Sequence, residues 1–219
     1  IDVGVNVGQT LIKLRTVSTD TAYIGFEPNP LCVYYASELI KANKYNHTKL
    51  LPVGLFSHDG ILELNLYSEG DTDQAASVIE NFRPNQKVHR KMYVPVSNFE
   101  NLAKILSADN ISIVKIDVEG AELEVLQSLA PTLQSKRPFV LVEILPAYDA
   151  SNTARITRQQ QMEALLKTVG YTIFRVIKKD KNTIQRLEPL TEIGIHGNLD
   201  LCEYLLAPEE LTSTVSNLF

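Results

Sequence analysis

Short apolar runs alternate with segments of helical periodicity along most of the chain, a pattern that predicts strand–helix–strand units and a largely parallel sheet. The first run ends near Gly4, and a helix is expected from about Gly8 to Thr16. Tyr23–Phe26 reads as the second strand. Asn29 is a capping residue and Pro30 suits a first helical turn, so Leu31–Lys44 is expected to be helical. A third strand is read over Lys49–Phe56. Ser57-His58-Asp59-Gly60 is a turn signal and Ile61–Tyr67 alternates, which predicts a hairpin extending the sheet. Residues 68–91 are polar without a sustained period, as expected of a long excursion beside a functional pocket.

Beyond it, Met92–Val96 is strand-like, Asn98–Ser107 a short helix and Ile111–Ile116 a buried strand. The next helix is expected from about Gly120 to Leu129, bounded by Pro131. Phe139–Leu145 is nearly continuous in apolar residues, as in a strand covered on both faces. Arg158–Val169 predicts a helix stopped by Gly170, and Tyr171–Ile177 and Leu201–Ala207 predict two last strands joined by a polar loop. The fold class is therefore α/β, and 219 residues suit a single domain, 1–219.

Composition narrows the function classes. The chain is 44% hydrophobic and 21% charged with a net charge of -5, so it has no general attraction for a polyanion, and a nucleic-acid partner is not expected. Cys32 and Cys202 are the only cysteines; they build neither a disulfide framework nor a metal site, which fits a reducing, cytoplasmic setting. No apolar stretch has the length of a membrane span. The sequence opens inside its first motif, with only Ile1 before Asp2, so a natural N-terminus, with the start of strand one, is expected to be missing.

That motif, Asp2-Val3-Gly4-Val5-Asn6-Val7-Gly8, reads as a strand end, a glycine turn and a helix start, and Glu27 closes the second strand. Glycines admit close backbone approach, and a carboxylate one strand over can grip both ribose hydroxyls. A dinucleotide fingerprint would need glycine where Asn6 stands, and Asp2 would repel a pyrophosphate. The combination favours S-adenosylmethionine, with Asp2 near its ammonium; an NAD-dependent oxidoreductase and a non-catalytic binding module are the alternatives. A second constellation, Lys115-Ile116-Asp117-Val118-Glu119-Gly120-Ala121-Glu122, ends a core strand and opens a helix. Asp117 can cap that helix and Glu122 suits scaffolding. Lys115, in an apolar strand, needs a partner, with Glu143 or Glu119 as candidates.

These motifs, with Phe26-Glu27-Pro28-Asn29-Pro30, Gly54-Leu55-Phe56-Ser57-His58-Asp59-Gly60 and Val140-Leu141-Val142-Glu143-Ile144, resemble those of the FkbM-type methyltransferases over residues 1 to about 145. The resemblance implies a Rossmann-like class I methyltransferase fold: a mostly parallel seven-stranded sheet, helices on both faces and the last strand antiparallel. It also implies methyl transfer from S-adenosylmethionine, usually to a hydroxyl oxygen, here of a small molecule, sugar or natural product. By position Asp2, Gly4, Asn6, Gly8 and Glu27, with Pro28 and Asn29 of the same motif, would hold the cofactor. Gly54 and Leu55 would lie by the adenine, and Asp117 near the methionine end or the acceptor. Asp117, Glu119 and Lys115 are the candidate catalytic groups, and the sequence does not choose among them. No metal spacing is present, and a divalent cation on residues 117, 119 and 143 is a minority reading. His89 and His196 rank lower as loop histidines. Arg83, Lys87, Arg90 and Lys91 could meet an acidic substrate, and Phe82 and Tyr93 could wall the acceptor. The Asn/Asp-Pro-Pro-Tyr signature of amino methylation and the Pro-Cys nucleophile of cytosine-C5 enzymes are both absent.

Overall fold

The computed structural model describes residues 1–180 and 183–218. In chain order the elements begin β1 (Asp2–Val3), α1 (Gln9–Val17), β2 (Tyr23–Phe26), α2 (Pro30–Asn43) and β3 (Thr48–Leu51). Next come β4 (Gly54–Leu55), β5 (Gly60–Leu66), β6 (Arg90–Ser97), α3 (Phe99–Leu106), β7 (Ile113–Ile116) and α4 (Glu122–Lys136). The remainder is β8 (Phe139–Glu143), α5 (Thr153–Thr168), β9 (Tyr171–Asp180), β10 (Thr183–Leu190), β11 (Glu203–Pro208) and α6 (Thr212–Ser216). Asn29 caps α2 as expected: its side chain accepts from the Leu31 N–H, and Pro30 opens the helix.

The main sheet runs β10-β9-β11-β8-β7-β1-β2-β3. β3, β2, β1, β7 and β8 are mutually parallel, and β11 enters antiparallel between β8 and β9. This is the expected Rossmann-like arrangement with one strand more. The additional strand, β10, occupies what reads as a polar loop, because it is an edge strand whose outer positions face solvent. Chain order reverses between β1 and β7, which opens the crevice at the carboxyl ends of these strands where α/β sheets bind ligands.

Two expectations fail for physical reasons. The Lys49–Phe56 run is not one strand paired in a hairpin with 61–67. Pro52, which cannot donate to a ladder, follows β3, and β4 then joins a separate three-stranded sheet, β4-β6-β5. The helix after β7 does not stop before Pro131. Proline lies inside α4, where its missing N–H falls on the exposed side, while Leu126, Leu129 and Leu133 are fully buried across it. Packing of that stripe outweighs a proline cost of about 3 kcal/mol.

Val114, Ile116, Val140 and Val142 form the centre of the core against α4. Buried Ser128 of α4 accepts the Phe99 N–H at 2.7 Å, satisfying an orphan donor at the start of α3. Ser128→Ala is expected to cost about 1–3 kcal/mol, since the Phe99 donor is left buried and unpaired; urea denaturation measures it. Among the described residues, no helix is long and apolar enough to cross a membrane.

Candidate functional site

β1 ends at Val3 because the chain turns at once beneath its neighbour. Gly4 has φ +86°, and its N–H donates to the Phe26 carbonyl at 2.9 Å. A Cβ built on Gly4 would lie 1.8 Å from the Asp117 carbonyl oxygen, so this glycine serves the approach of two strand ends. Asn6 follows in the left-handed region, at φ 49°. Its N–H donates to Glu27 Oε2 at 2.8 Å, while the Asn29 N–H donates to Glu27 Oε1 at 2.8 Å. Glu27 thus clasps the glycine turn to the start of α2. Burial raises its carboxyl to about 7, even though both backbone donors favour the charged form.

A cavity of about 650 Å³ opens over these strand ends. Gly4, Asn6, Glu27, Pro28, Asn29, Gly54 and Leu55 line one part of it, and Lys115, Asp117 and Glu119 another. Two predicted residues are not among its lining. Asp2 is 1% exposed beneath the floor, where it accepts the Tyr23 hydroxyl at 2.6 Å and lies 3.9 Å from Lys115 Nζ. Asp2 therefore supports a lining residue from behind, where a position near an ammonium, directly or through water, was expected. Gly8 is buried under α2, where a Cβ would meet Leu39 at 2.7 Å; it shapes the start of α1.

Lys115 bonds Asp117 Oδ2 at 3.0 Å, in place of the expected Glu143 or Glu119. Residues two apart along an extended chain share a face, which brings this pair together first. Asp117 does not cap α4, whose N-cap is Ala121; the turn before the helix is instead braced by buried Glu122, which accepts the Gly120 N–H at 2.8 Å. Glu119 holds φ 51°, accepts Arg83 Nη2 at 2.5 Å, and offers its carbonyl to Ser77 Oγ at 2.6 Å. Burial pushes the Glu119 carboxyl up, opposed by Arg83.

The 68–91 excursion lies beside the cavity as expected, with Asp73, Gln74, Ala76 and Val78 in its lining. Asn29 Nδ2 donates to the Asp71 carbonyl, and Arg155 donates to the Phe82 carbonyl with its guanidinium 4.4 Å from that ring's centre. Its basic residues do not face the cavity. Arg83 pairs with Glu119, Arg90 with Asp71 and Lys91 with Glu63, while Lys87 is exposed. Tyr93 is 78% exposed on the outside of β6, and Phe82 covers Gly120, so neither walls the cavity. His89 and His196 are also outside the lining. Among the described residues, no group of three or more His, Cys, Asp or Glu is placed to hold a metal ion.

Sequence reasoning offered Glu143 only as a partner for Lys115 or a minority cation ligand, and missed the rest of the cavity's far end. Glu143, Glu203, Lys178 and Tyr204 line it, from β8, β11 and β9. Glu143 closes Phe139-Val140-Leu141-Val142 as Glu27 closes its own apolar run, and that parallel was a usable signal. Lys178 and Glu203 carried none, since sheet order alone brings β9 and β11 to the site.

Comparison with known proteins agrees with this architecture. The chain is 25% identical over 187 residues to "Methyltransferase 1" of Beauveria bassiana (strain ARSEF 2860), covering 79% of this chain and 72% of that protein. It is 24% identical over 199 residues to "Methyltransferase sdnD" of Sordaria araneosa, covering 80% and 74%. The crystal structure of methyltransferase FkbM from Methylobacillus flagellatus KT shares the fold, with TM-score 0.55 at 13% identity. That likeness covers 94% of this chain and 42% of the other, so this chain spans less than half the length of that protein. The sequence model described as "Methyltransferase FkbM domain" matches residues 2–173, and the chain accordingly belongs to the FkbM methyltransferase family.

Proposed function

We propose that the protein is an S-adenosylmethionine-dependent methyltransferase acting on a hydroxyl oxygen of a small molecule, sugar or natural product. The observation that carries the reading is Glu27. Each of its oxygens accepts one backbone N–H and keeps acceptor capacity on the side of the cavity, where a pair of ribose hydroxyls would donate. The volume of about 650 Å³ suits a nucleoside-sized ligand with a second molecule beside it. The residues present therefore fit the cofactor. Gly4, Asn6, Glu27, Pro28, Asn29, Gly54 and Leu55 would contact it, with Asp2 and Gly8 holding the contacting residues from behind. A family match that names methyl transfer favours this reading over the oxidoreductase. Cavity space lined by Asp117 and Glu119 favours catalysis over a binding module.

The bound cofactor supplies an activated methyl group. The chain's own part is alignment: the cavity brings an acceptor oxygen to near-attack geometry and limits water. Asp117, fixed by Lys115, and Glu119, fixed by Arg83, would orient the acceptor through hydrogen bonds at the transfer end. The reading includes one domain over 1–219, because β9–β11 complete the sheet. It also places the protein in a reducing, cytoplasmic setting, which suits the buried free thiols of Cys32 and Cys202.

Cofactor affinity should depend on pH through Glu27. Ribose hydroxyls donate to the carboxylate and so favour its charged form, while burial holds the carboxyl near 7. Affinity is therefore expected to rise with pH up to about 7, by at most tenfold per unit, and to level off above. Calorimetry with S-adenosylhomocysteine across pH 5.5–8.5 measures it, with proton release on binding below the plateau. Incubation with radiolabelled methyl donor and a fractionated small-molecule extract tests the reading itself: labelled hydroxyl products support it, and absence of donor binding overturns it.

A further inference from the structure

Resting on the methyltransferase reading, we infer that Glu143 receives the acceptor's hydroxyl proton and that the acceptor is a hydroxyl compound bearing no anionic group. Beyond the glycine-turn wall the cavity is lined by four carboxylates, Asp117, Glu119, Glu143 and Glu203, and by Lys115 and Lys178, while Arg83 reaches Glu119 from outside the lining. Lys115 is bonded to Asp117, Arg83 to Glu119, and Lys178 to Glu203. Glu143 is left over. It stands directly across the β8–β11 ladder from Glu203, and residues so paired project to one face. Lys178 neutralises only Glu203, so Glu143 has no cation of its own.

The surroundings agree. Glu143 is half-buried at the carboxyl end of β8 and lines the cavity. Asp117, Glu119 and Lys115 face it from β7 and the turn after it, Glu203 from β11 and Cys202 from just before that strand, and Lys178 stands beyond on β9. Burial first, then the charges of Asp117, Glu119 and Glu203, lift its carboxyl to about 7, only partly opposed by Lys115. A carboxylate poised near neutrality is suited to take a proton from an alcohol as it is alkylated. Asp117 and Glu119 are each tied to a cation, Lys115 and Arg83, which competes for the oxygens that would take the proton. In the step, the acceptor oxygen forms the new C–O bond and the donor's C–S bond breaks with its electron pair to sulfur. The hydroxyl proton moves to a Glu143 oxygen and later to solvent.

The charge inventory also selects the acceptor. Lys115 and Lys178 beside Glu143 are already committed to carboxylates, as is Arg83 behind Glu119, while Lys13, which also lines the cavity, belongs to α1 on the glycine-turn side. A phosphate or carboxylate at the Glu143 end would therefore meet an uncompensated carboxylate and, among the described residues of β7, β8, β9 and β11 that line it, no unpaired cation. Neutral polyols and amino-bearing hydroxyl compounds meet no such repulsion.

The test joins Glu143→Gln with charge fractionation of the extract. The extract is passed over an anion-exchange resin, and labelled methyl donor is supplied at saturation to both fractions. Label is expected in compounds of the flow-through, and label confined to the retained anions overturns the acceptor class. With the flow-through acceptor, the wild-type rate is expected to rise through about pH 7 and then plateau. Glu143→Gln should lose that inflection and about 100-fold or more in kcat, with S-adenosylhomocysteine affinity within about twofold. Carboxyl-¹³C NMR of the S-adenosylhomocysteine complex, with Glu143 identified by the same variant, should show its titration near 7; an ordinary value below 5 overturns the assignment. A protein that does not bind S-adenosylhomocysteine removes the methyltransferase reading. One that binds it, and transfers methyl at the wild-type rate with glutamine at 143, removes only the proton acceptor.

Discussion

Replacing Glu27 by alanine is expected to weaken S-adenosylhomocysteine binding by about two to four orders of magnitude while leaving the protein folded. Two hydrogen bonds from ribose hydroxyls to a carboxylate are worth about 1.5–3 kcal/mol each, or about 3–6 kcal/mol together. Stability is expected to change far less. A carboxyl raised to about 7 by burial supports the fold fully below its unfolded value near 4, and that support is lost as pH rises through about 7. At pH 8 the ionised Glu27 is thus a cost to the fold; its removal relieves that cost but leaves the Asn6 and Asn29 N–H groups without their acceptor, so these contributions oppose each other. Calorimetry and a thermal melt at pH 8 separate binding from stability. Glu27→Gln should fall between, because an amide offers one acceptor where two backbone donors converge. Wild-type affinity in the alanine variant would place the ribose elsewhere.

The largest expected loss of stability comes from Gly4→Ala. The new methyl would lie 1.8 Å from the Asp117 carbonyl oxygen, a backbone atom that cannot rotate away, and φ +86° is unfavourable for any side chain. Left-handed strain and overpacking together suggest about 3–5 kcal/mol, enough to threaten folding of a typical domain. Urea denaturation reads the change, with Gly197→Ala as control, since a Cβ there meets nothing within 4 Å. A midpoint close to wild type would show that β1 and β7 do not approach as described. This glycine therefore acts on the fold before it acts on any ligand: the close approach inferred from the motif is real, but its partner is the chain's own backbone.

Much of the layout was legible because it is written in local chemistry. β2 fell on Tyr23–Phe26, Asn29 capped α2, and Glu27 closed its strand where the glycine turn could be reached. Other features were hidden where a nonlocal term outweighed a local one. Pro131 signals a helix end, yet Leu129 and Leu133 pack on either side of it. β10 is polar because it is an edge, and its existence depends on β9 as a template. The 49–67 region reads as a hairpin, but β6, arriving more than twenty residues later, takes both β4 and β5 as partners.

Sequence alone determined the α/β class, the family resemblance and one wall of the cavity, since short motifs carry their own geometry: a glycine turn, a capped helix, an acid at a strand end. Tertiary structure decided which charges survive unpaired. Lys115 chose Asp117, Arg83 of the excursion took Glu119, and Lys178 took Glu203, leaving Glu143 uncompensated. Such partnerships depend on sheet order and on contacts between residues far apart in the chain. Burial then acts on whichever group is left over, and neither effect is encoded within the span of a motif.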